Sequence, residues 1–274
     1  MINWGILGLG RMGITFANSI NETSNSKLIG IASKSGKTFK NFNNNTYEDL
    51  IQDEKINAIY ISTLNNTHID LIKEILKKEK KILCEKPVSV SLEDLINVKK
   101  LILKKNIQFY EAIAYYSHPQ TFDLINLIKN DEIGEIQSVE CNFGFKAKFN
   151  PSSRLFDKSL GGGCIHDVGC YPLSFLMLLT KNPEKIIIKS KTLTYAKSGV
   201  DDDATAILNC DNNFEGNITV IDMGLDPYRR PTSDVMRGFL GAGGWSDGKL
   251  TYHTSIGGQL SKYTGDEKAM ELFD

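Results

Sequence analysis

No excess of charge marks this sequence. It has 32 lysines and arginines against 33 aspartates and glutamates, a net charge of −1. No overall field therefore draws the chain to nucleic acid or to a membrane surface. Lysine-rich runs such as Lys77-Lys78-Glu79-Lys80-Lys81 read as solvated helix ends. No apolar run approaches the roughly 20 residues that span a bilayer. The longest, Leu173 to Leu179, is interrupted by Ser174 and fits a buried helix. Cysteine is sparse, and its five positions (84, 141, 164, 170, 210) show no metal-ligand spacing. An odd number of cysteines reads as reduced thiols. The first strand begins at residue 2, which leaves no room for a signal peptide. These absences predict a soluble cytoplasmic protein that takes no nucleic acid, membrane or metal as partner. A length of 274 residues suits one or two domains with a sizeable core.

What is present is concentrated in the first thirty-four residues. Ile2 to Leu7 reads as a short buried strand, Ile14 to Ile20 as a helix and Lys27 to Ala32 as a second strand. Gly8-Leu9-Gly10-Arg11-Met12-Gly13 stands at the strand-to-helix turn. In such a βαβ unit the first glycine permits the tight turn and the second admits a pyrophosphate to the backbone. The third lets helix and strand pack closely. The helix start adds free N–H groups and a positive dipole end for the phosphates. The simpler alternative is a glycine turn that only packs a helix on a sheet.

A carboxylate is missing where the second strand ends. Asp or Glu there would bind the ribose 2′-hydroxyl of NAD. This chain has Ala32-Ser33-Lys34-Ser35 instead. A hydroxyl and an ammonium would hold a 2′-phosphate, so the residues favour NADP, with NAD still open. Lys34 and Lys37 also fit plain solvated loop lysines.

Along the chain, Lys40 to Asn45 reads as an asparagine-rich loop. Thr46 caps a short helix with Asp49 in its first turn. Asn57 to Ser62 is a near-continuous apolar strand of the kind found in a parallel sheet. Thr67 is placed to cap a helix running to about Lys80. Ile82 to Cys84 forms a strand, Ser91 caps a helix from Leu92 to Lys104, and Ile107 to Ala112 forms a further strand. This alternation predicts a doubly wound parallel sheet over residues 1–118. A helix from Gln120 to Lys129 follows. Strands are then expected at Ile136–Phe145, Lys185–Tyr195, Ala204–Cys210 and Phe214–Asp222, with one helix at Ile165–Leu179. Residues 119–274 are therefore expected to form a second α/β domain on an open mixed, mostly antiparallel sheet. From about Arg229 no clear period is readable until Lys268 to Phe273.

Three stretches carry candidate chemistry. Cys84-Glu85-Lys86-Pro87 lies at the carboxyl end of a parallel strand, where open α/β sheets bind ligands. Lys86 can donate to a substrate hydroxyl. On spacing alone it can equally be a lysine beside a strand-stopping proline whose peptide bond is a candidate for the cis form. Gly161-Gly162-Gly163 leads into Asp167 and Tyr171, which are four apart and share a helical face. A lysine ammonium beside a phenol favours its phenolate, so this set can move a proton off a hydroxyl. A helix-end carboxylate and a half-buried ring fit the spacing as well, and the adjacent His166 reads as a packed histidine. Thr63-Leu64-Asn65-Asn66-Thr67-His68 also follows a parallel strand and should border the cofactor, although His68 also suits capping or packing.

Five patterns together resemble one family. They are Gly8-x-Gly10-x-x-Gly13, Asn65-x-x-His68, Glu85-Lys86-Pro87, Glu111-Ala112-x-x-Tyr115-x-x-His118-Pro119 and Gly161-Gly162-Gly163-x-x-x-Asp167-x-Gly169-x-Tyr171-Pro172. Over residues 1 to 225 the chain is similar to the glucose–fructose oxidoreductase, inositol dehydrogenase and rhizopine-catabolism (Gfo/Idh/MocA) family. The resemblance implies a Rossmann domain and an α/β substrate domain whose sheet often pairs subunits into a homo-dimer or higher homo-oligomer. It implies hydride transfer between NAD or NADP and a sugar, polyol or related hydroxy compound. It puts the catalytic roles on Lys86, Asp167 and Tyr171. The cofactor falls to Gly8, Gly10, Arg11, Met12, Gly13, Ser33, Lys34, Thr63, Asn65, His68, Glu85 and Lys86. Tyrosine at 171 resembles the dihydrodiol dehydrogenase and glucose–fructose oxidoreductase branches, which favour NADP.

The chain departs from the family pattern in three places. Leu64 replaces a usual proline, and Tyr116 a frequent arginine. After Asp226-Pro227-Tyr228-Arg229-Arg230 the usual further strands are not readable, which is expected for a truncated or altered C-terminus. The main expectation is an NADP-preferring oxidoreductase. The alternative is a non-catalytic NADP-binding or regulatory member, or an inactive truncated one. Arg154 fits either a substrate contact or a surface charge.

Overall fold

The computed structural model describes residues 1–20, 22–210 and 214–221. The expectations placed on Asp222, Asp226 to Arg230 and Lys268 to Phe273 lie outside these residues. The described chain divides into two compact units. One is Met1–Tyr116 with Ser159–Gly161; the other is Ser117–Lys158 with the residues from Gly162 onward.

In the first unit six strands form one parallel sheet. They are β1 (Ile2–Leu7), β2 (Ser26–Ala32), β3 (Asn44–Asn45), β4 (Ala58–Ile61), β5 (Lys81–Cys84) and β6 (Phe109–Glu111). Their order is β3-β2-β1-β4-β5-β6, and every pairing is parallel. The order reverses between β1 and β4, the switch point where such sheets hold ligands. Alternate strand residues enter two cores. Leu7, Ile59 and Ile61 face one, and Ile6, Ile31 and Tyr60 the other. Both sheet faces are thus covered, which explains why β4 is apolar throughout. The helices are α1 (Arg11–Ile20), α2 (Tyr47–Gln52), α3 (His68–Leu76) and α4 (Leu92–Lys105).

Local chemistry sets their ends. Thr46 and Asp49 form a reciprocal capping box on α2. The Ser91 hydroxyl accepts the Asp94 N–H, and Asn106 closes α4 in the left-handed conformation, φ 53°. Two expectations change here. Thr67 precedes α3 but does not cap it with its side chain. Its hydroxyl donates instead to the Leu64 carbonyl at 2.7 Å, because Asn65–Thr67 is already wound as a 3-10 turn. The asparagine-rich segment is not wholly a loop, since Asn44–Asn45 pairs with Ile31 and Ala32 as an edge strand.

The second unit contains α5 (Pro119–Lys129), β7 (Ser138–Gly144), α6 (Cys170–Leu179), β8 (Ile186–Tyr195), β9 (Asp201–Cys210) and β10 (Phe214–Ile221). The sheet order is β7-β10-β9-β8. β8, β9 and β10 pair antiparallel, and β10 pairs parallel with β7. This is the mixed, mostly antiparallel sheet expected. The helix expected from Ile165 is not regular at its start, because Ile165–Gly169 forms a π-helical turn before α6. Lys158–Leu179 has the length and apolar composition of a membrane span, yet Val168 and Leu176 within it belong to the core with Leu208, Phe214 and Ile218. No disulfide joins any of the five cysteines. Burial, ahead of the neighbouring Cys210 and Glu140, pushes the Cys141 thiol up to about 12, so it packs as a small apolar group.

Candidate functional site

In the first unit the glycine turn is built as its spacing predicts. Gly8 has φ +95°, and a Cβ there would stand 2.6 Å from the Ser62 carbonyl oxygen. A Cβ on Gly13 would collide with the Gly8 carbonyl oxygen. At Gly10 a Cβ would meet nothing within 4 Å, so the backbone is open to approach there. The donors of the α1 start and this open glycine fit the phosphates of a dinucleotide. Arg11 and Met12 are exposed in the first turn of α1. Ser62, which the sequence did not single out, holds the turn by donating to the Gly8 carbonyl at 2.8 Å. Gly13→Ala is expected to cost about 2 kcal/mol by overpacking. It should also weaken coenzyme binding about 10-fold, as measured by urea unfolding and fluorescence titration.

The loops after β4 and β5 meet at the same carboxyl edge. His68 is fully buried, with Nδ1 2.9 Å from the Pro87 carbonyl and Nε2 3.3 Å from the Thr63 carbonyl. Burial pulls its pKa below the usual histidine value, and the two carbonyls only partly oppose this. A neutral ring has one N–H, and the shorter contact assigns it to Nδ1. His68 thus ties the Thr63 loop to the Lys86-Pro87 loop from inside. That Lys86-Pro87 peptide bond is cis. Asn65 is buried and donates to the Gly161 carbonyl at 3.2 Å, while the Thr63 and Thr67 hydroxyls stand 2.7 Å apart. Glu85 accepts from the Tyr60 hydroxyl. Lys86 is half-buried at the strand end.

Glu111 is a further participant, quoted in the sequence pattern but given no role there. It ends β6 beside Cys84 and accepts the Val88 N–H at 3.1 Å. Burial raises its carboxyl above the usual range, while the Val88 bond and the Lys86 ammonium draw it back. Lys86 and Glu111 thus lie within electrostatic reach of one another. At the end of β2, Ser33 is buried and its hydroxyl lies 2.9 Å from that of Ser35; Lys34 is exposed.

In the second unit the π turn carries Asp167 and opens into α6, where Tyr171 stands in the first turn. Asp167 is buried and its Oδ1 takes a 2.9 Å bond from Arg154 Nη2. Arg154 is thus neither a substrate contact alone nor a stray surface charge. Tyr171 stacks on Phe143, with ring centroids 5.0 Å apart. Asp201 fixes the start of the turn across 36 residues, accepting the Ile165 N–H at 2.7 Å and the Cys164 thiol at 3.1 Å. His166 packs, as expected, with its Nδ1 buried and without a hydrogen-bond partner. No cluster of metal-ligating side chains occurs among the described residues.

Comparison with known proteins matches both units. A family model described as an oxidoreductase family with an NAD-binding Rossmann fold matches residues 2–113. A second, the GFO/IDH/MocA C-terminal domain, matches residues 123–231. The trans-1,2-dihydrobenzene-1,2-diol dehydrogenase of Xenopus tropicalis is 26% identical over 215 residues, covering 75% of this chain and 64% of the relative. The D-xylose 1-dehydrogenase (NADP(+)) 2 of Haloferax volcanii is 28% identical over 173 residues, covering 63% of this chain and 52% of the relative. The chain thus spans between about half and two thirds of the length of these two relatives. Among solved structures, a 3-ketoreductase from Actinomadura kijaniata in complex with NADP and TDP-benzene superposes with a TM-score of 0.71 at 20% identity, covering 80% of this chain and 69% of that one. A putative myo-inositol dehydrogenase from Sinorhizobium meliloti gives 0.71 at 19% identity, covering 82% and 70%. At these identities the superpositions speak for the fold alone.

Proposed function

The chain belongs to the Gfo/Idh/MocA oxidoreductase family, and from that membership we propose that it is an NADP-preferring oxidoreductase of sugars, polyols or cyclic diols. One observation carries the reading. The glycine turn after β1, the Asn65 loop after β4 and Lys86 after β5 follow adjacent parallel strands at one sheet edge.

When bound, the nicotinamide supplies hydride acceptance or donation at a CH–OH or carbonyl carbon. The chain's residues do the rest. Gly8, Gly10, Gly13, Arg11 and Met12 receive the dinucleotide at the start of α1, and Thr63, Asn65 and Glu85 line its further course. Ser33 and Lys34 favour the 2′-phosphate, because no carboxylate stands in that loop to repel it. The Lys86 ammonium donates to the substrate oxygen and stabilises negative charge there. Tyr171 takes the hydroxyl proton in oxidation and returns it in reduction. Asp167, held by Arg154, accepts from substrate hydroxyls. Asp167 and Tyr171 are carried by the second unit.

Titration of the protein fluorescence with NADPH and NADH tests this. NADPH is expected to saturate at least about 10-fold more tightly, since a well-bound phosphate contributes a charge-assisted pair or two. Turnover on a panel of sugars, polyols and cyclic diols should follow. Preference for NADH would overturn the coenzyme assignment. Binding without turnover across the panel would favour a non-catalytic coenzyme-binding role.

A further inference from the structure

Asn44 has no part in the family pattern, yet both ends of its side-chain amide are bonded. Its Oδ1 accepts the Ser33 backbone N–H at 2.6 Å, and its Nδ2 donates to the Ser33 carbonyl at 3.0 Å. The partners fix the amide orientation, because only the oxygen can accept and only the nitrogen can donate. The main-chain pairing of β3 with β2 covers Ile31 with Asn44 and Ala32 with Asn45. The Asn44 amide supplies one further rung of the ladder from a side chain. Asn45 reinforces it by donating to the Ile31 carbonyl at 3.1 Å.

The consequence falls on the turn that follows. The Ser33 carbonyl also accepts the Gly36 N–H at 3.0 Å, which closes a four-residue turn with Lys34 and Ser35 at its tip. Gly36 leaves it at φ +70°, a conformation glycine adopts without strain. The side chains are held as well. The Ser33 and Ser35 hydroxyls stand 2.9 Å apart. The Lys34 ammonium lies 5.8 Å from the centroid of the Tyr47 ring, within cation–π range. Tyr47 is itself fixed as the first residue of α2 behind the Thr46 capping box. Asn44 thus holds the turn by its backbone, and Tyr47 holds its one charged side chain.

We propose that Asn44, seconded by Tyr47, is a positioning residue for coenzyme discrimination, which pre-shapes the Ser33–Gly36 turn to receive the 2′-phosphate of NADPH. This rests on the NADP reading above. A ligand that engages the turn benefits from having its shape set in advance, because the ordering cost is already met. NADH presents only an uncharged 2′-hydroxyl to that turn and gains less from its shape. Asn44 does not touch the coenzyme; it acts through Ser33.

The test compares dissociation constants for NADPH and NADH in the wild type and in Asn44→Ala, Asn44→Asp and Lys34→Ala. Asn44→Ala is expected to weaken NADPH about 10-fold and to change NADH by less than about twofold. Asn44→Asp keeps an acceptor for the Ser33 N–H, sets a carboxylate oxygen against the Ser33 carbonyl and adds negative charge near the phosphate. It should weaken NADPH more, by about 30-fold. Asn44→Ala that weakens both coenzymes equally, or neither, while Lys34→Ala selectively weakens NADPH, overturns the role of Asn44 and leaves the NADP reading standing. A wild type that prefers NADH removes the reading and this inference with it. Melting points measured without coenzyme separate loss of fold from loss of discrimination.

Discussion

Lys86→Ala is expected to lower turnover about 1000-fold while the dissociation constant of NADPH changes by less than about threefold, a size in keeping with loss of a positioned proton-transfer and charge-stabilising group. The split between the two quantities follows from how the loop is held. His68 ties the Pro87 carbonyl at 2.9 Å, and Glu111 ties the Val88 N–H at 3.1 Å. Neither bond uses the Lys86 side chain, so truncation should leave the backbone of the loop and the coenzyme edge in place. The ammonium is lost, and with it the proposed donor to the reacting oxygen. Glu111 should respond too. Burial already raises its carboxyl, and Lys86 is one of two influences that lower it. Without the lysine its pKa rises further, which would appear as an altered acid limb in the residual pH–rate profile. Lys86→Arg keeps charge but presents a planar fork in place of a compact ammonium, so only a small part of the rate should return. Stopped-flow or steady-state assays with coenzyme titration check all three points. Full activity in Lys86→Ala would remove the lysine from the chemistry.

The sequence was most legible where spacing and geometry coincide. Gly8, Gly10 and Gly13 fall at a strand-to-helix turn, and no other residue could occupy Gly8 or Gly13 without striking the Ser62 or Gly8 carbonyl. The parallel sheet was readable because its central strands are apolar on both faces, and the mixed sheet because Ile186–Tyr195 and Asp201–Cys210 are rich in β-formers. Short-range caps such as Thr46 with Asp49 were equally plain. What escaped were side chains that bond backbone far away in the chain. Asn44 to Ser33 spans 11 residues, and Asp201 to Ile165 spans 36. Such contacts leave no period in the sequence, and their residue types are those of ordinary loops. The π turn at Ile165–Gly169 escaped for a related reason. Asp167 and Tyr171 at four apart suit a regular helix, and the hold of Asp201 on the Ile165 N–H and the Cys164 thiol shows the start of the turn pinned from β9. Thr67 misled because its hydroxyl could serve either the helix or the Leu64 carbonyl, and it serves the latter.

The ion pair between Arg154 and Asp167 lets the stability of the second unit be tested apart from the proposed chemistry. The Asp167 side chain is 8% exposed and that of Arg154 45%, at 2.9 Å. Removing one partner of a fully buried pair costs about 3–5 kcal/mol, because a charge is stranded. Water reaches this guanidinium, so Arg154→Ala is expected to cost about 2 kcal/mol in urea unfolding. Asp167→Asn removes the charge that needs compensation. It should cost about 1 kcal/mol in stability and about 100-fold or more in turnover, since a neutral amide cannot accept from a substrate hydroxyl in the same way. The combined Arg154→Ala, Asp167→Asn variant should then be more stable than Arg154→Ala, with no stranded charge left, yet no more active than Asp167→Asn alone. That pattern would assign Arg154 to holding the carboxylate and Asp167 to the chemistry. Restored turnover in the double variant would mean instead that the pair matters only for packing. Arg154→Ala with unchanged kcat/KM would mean that the 2.9 Å bond is not what orients Asp167. Both results are read from one double-mutant cycle in stability and one in kcat/KM, and the two cycles need not agree, because folding senses the buried charge and turnover senses where its oxygens point.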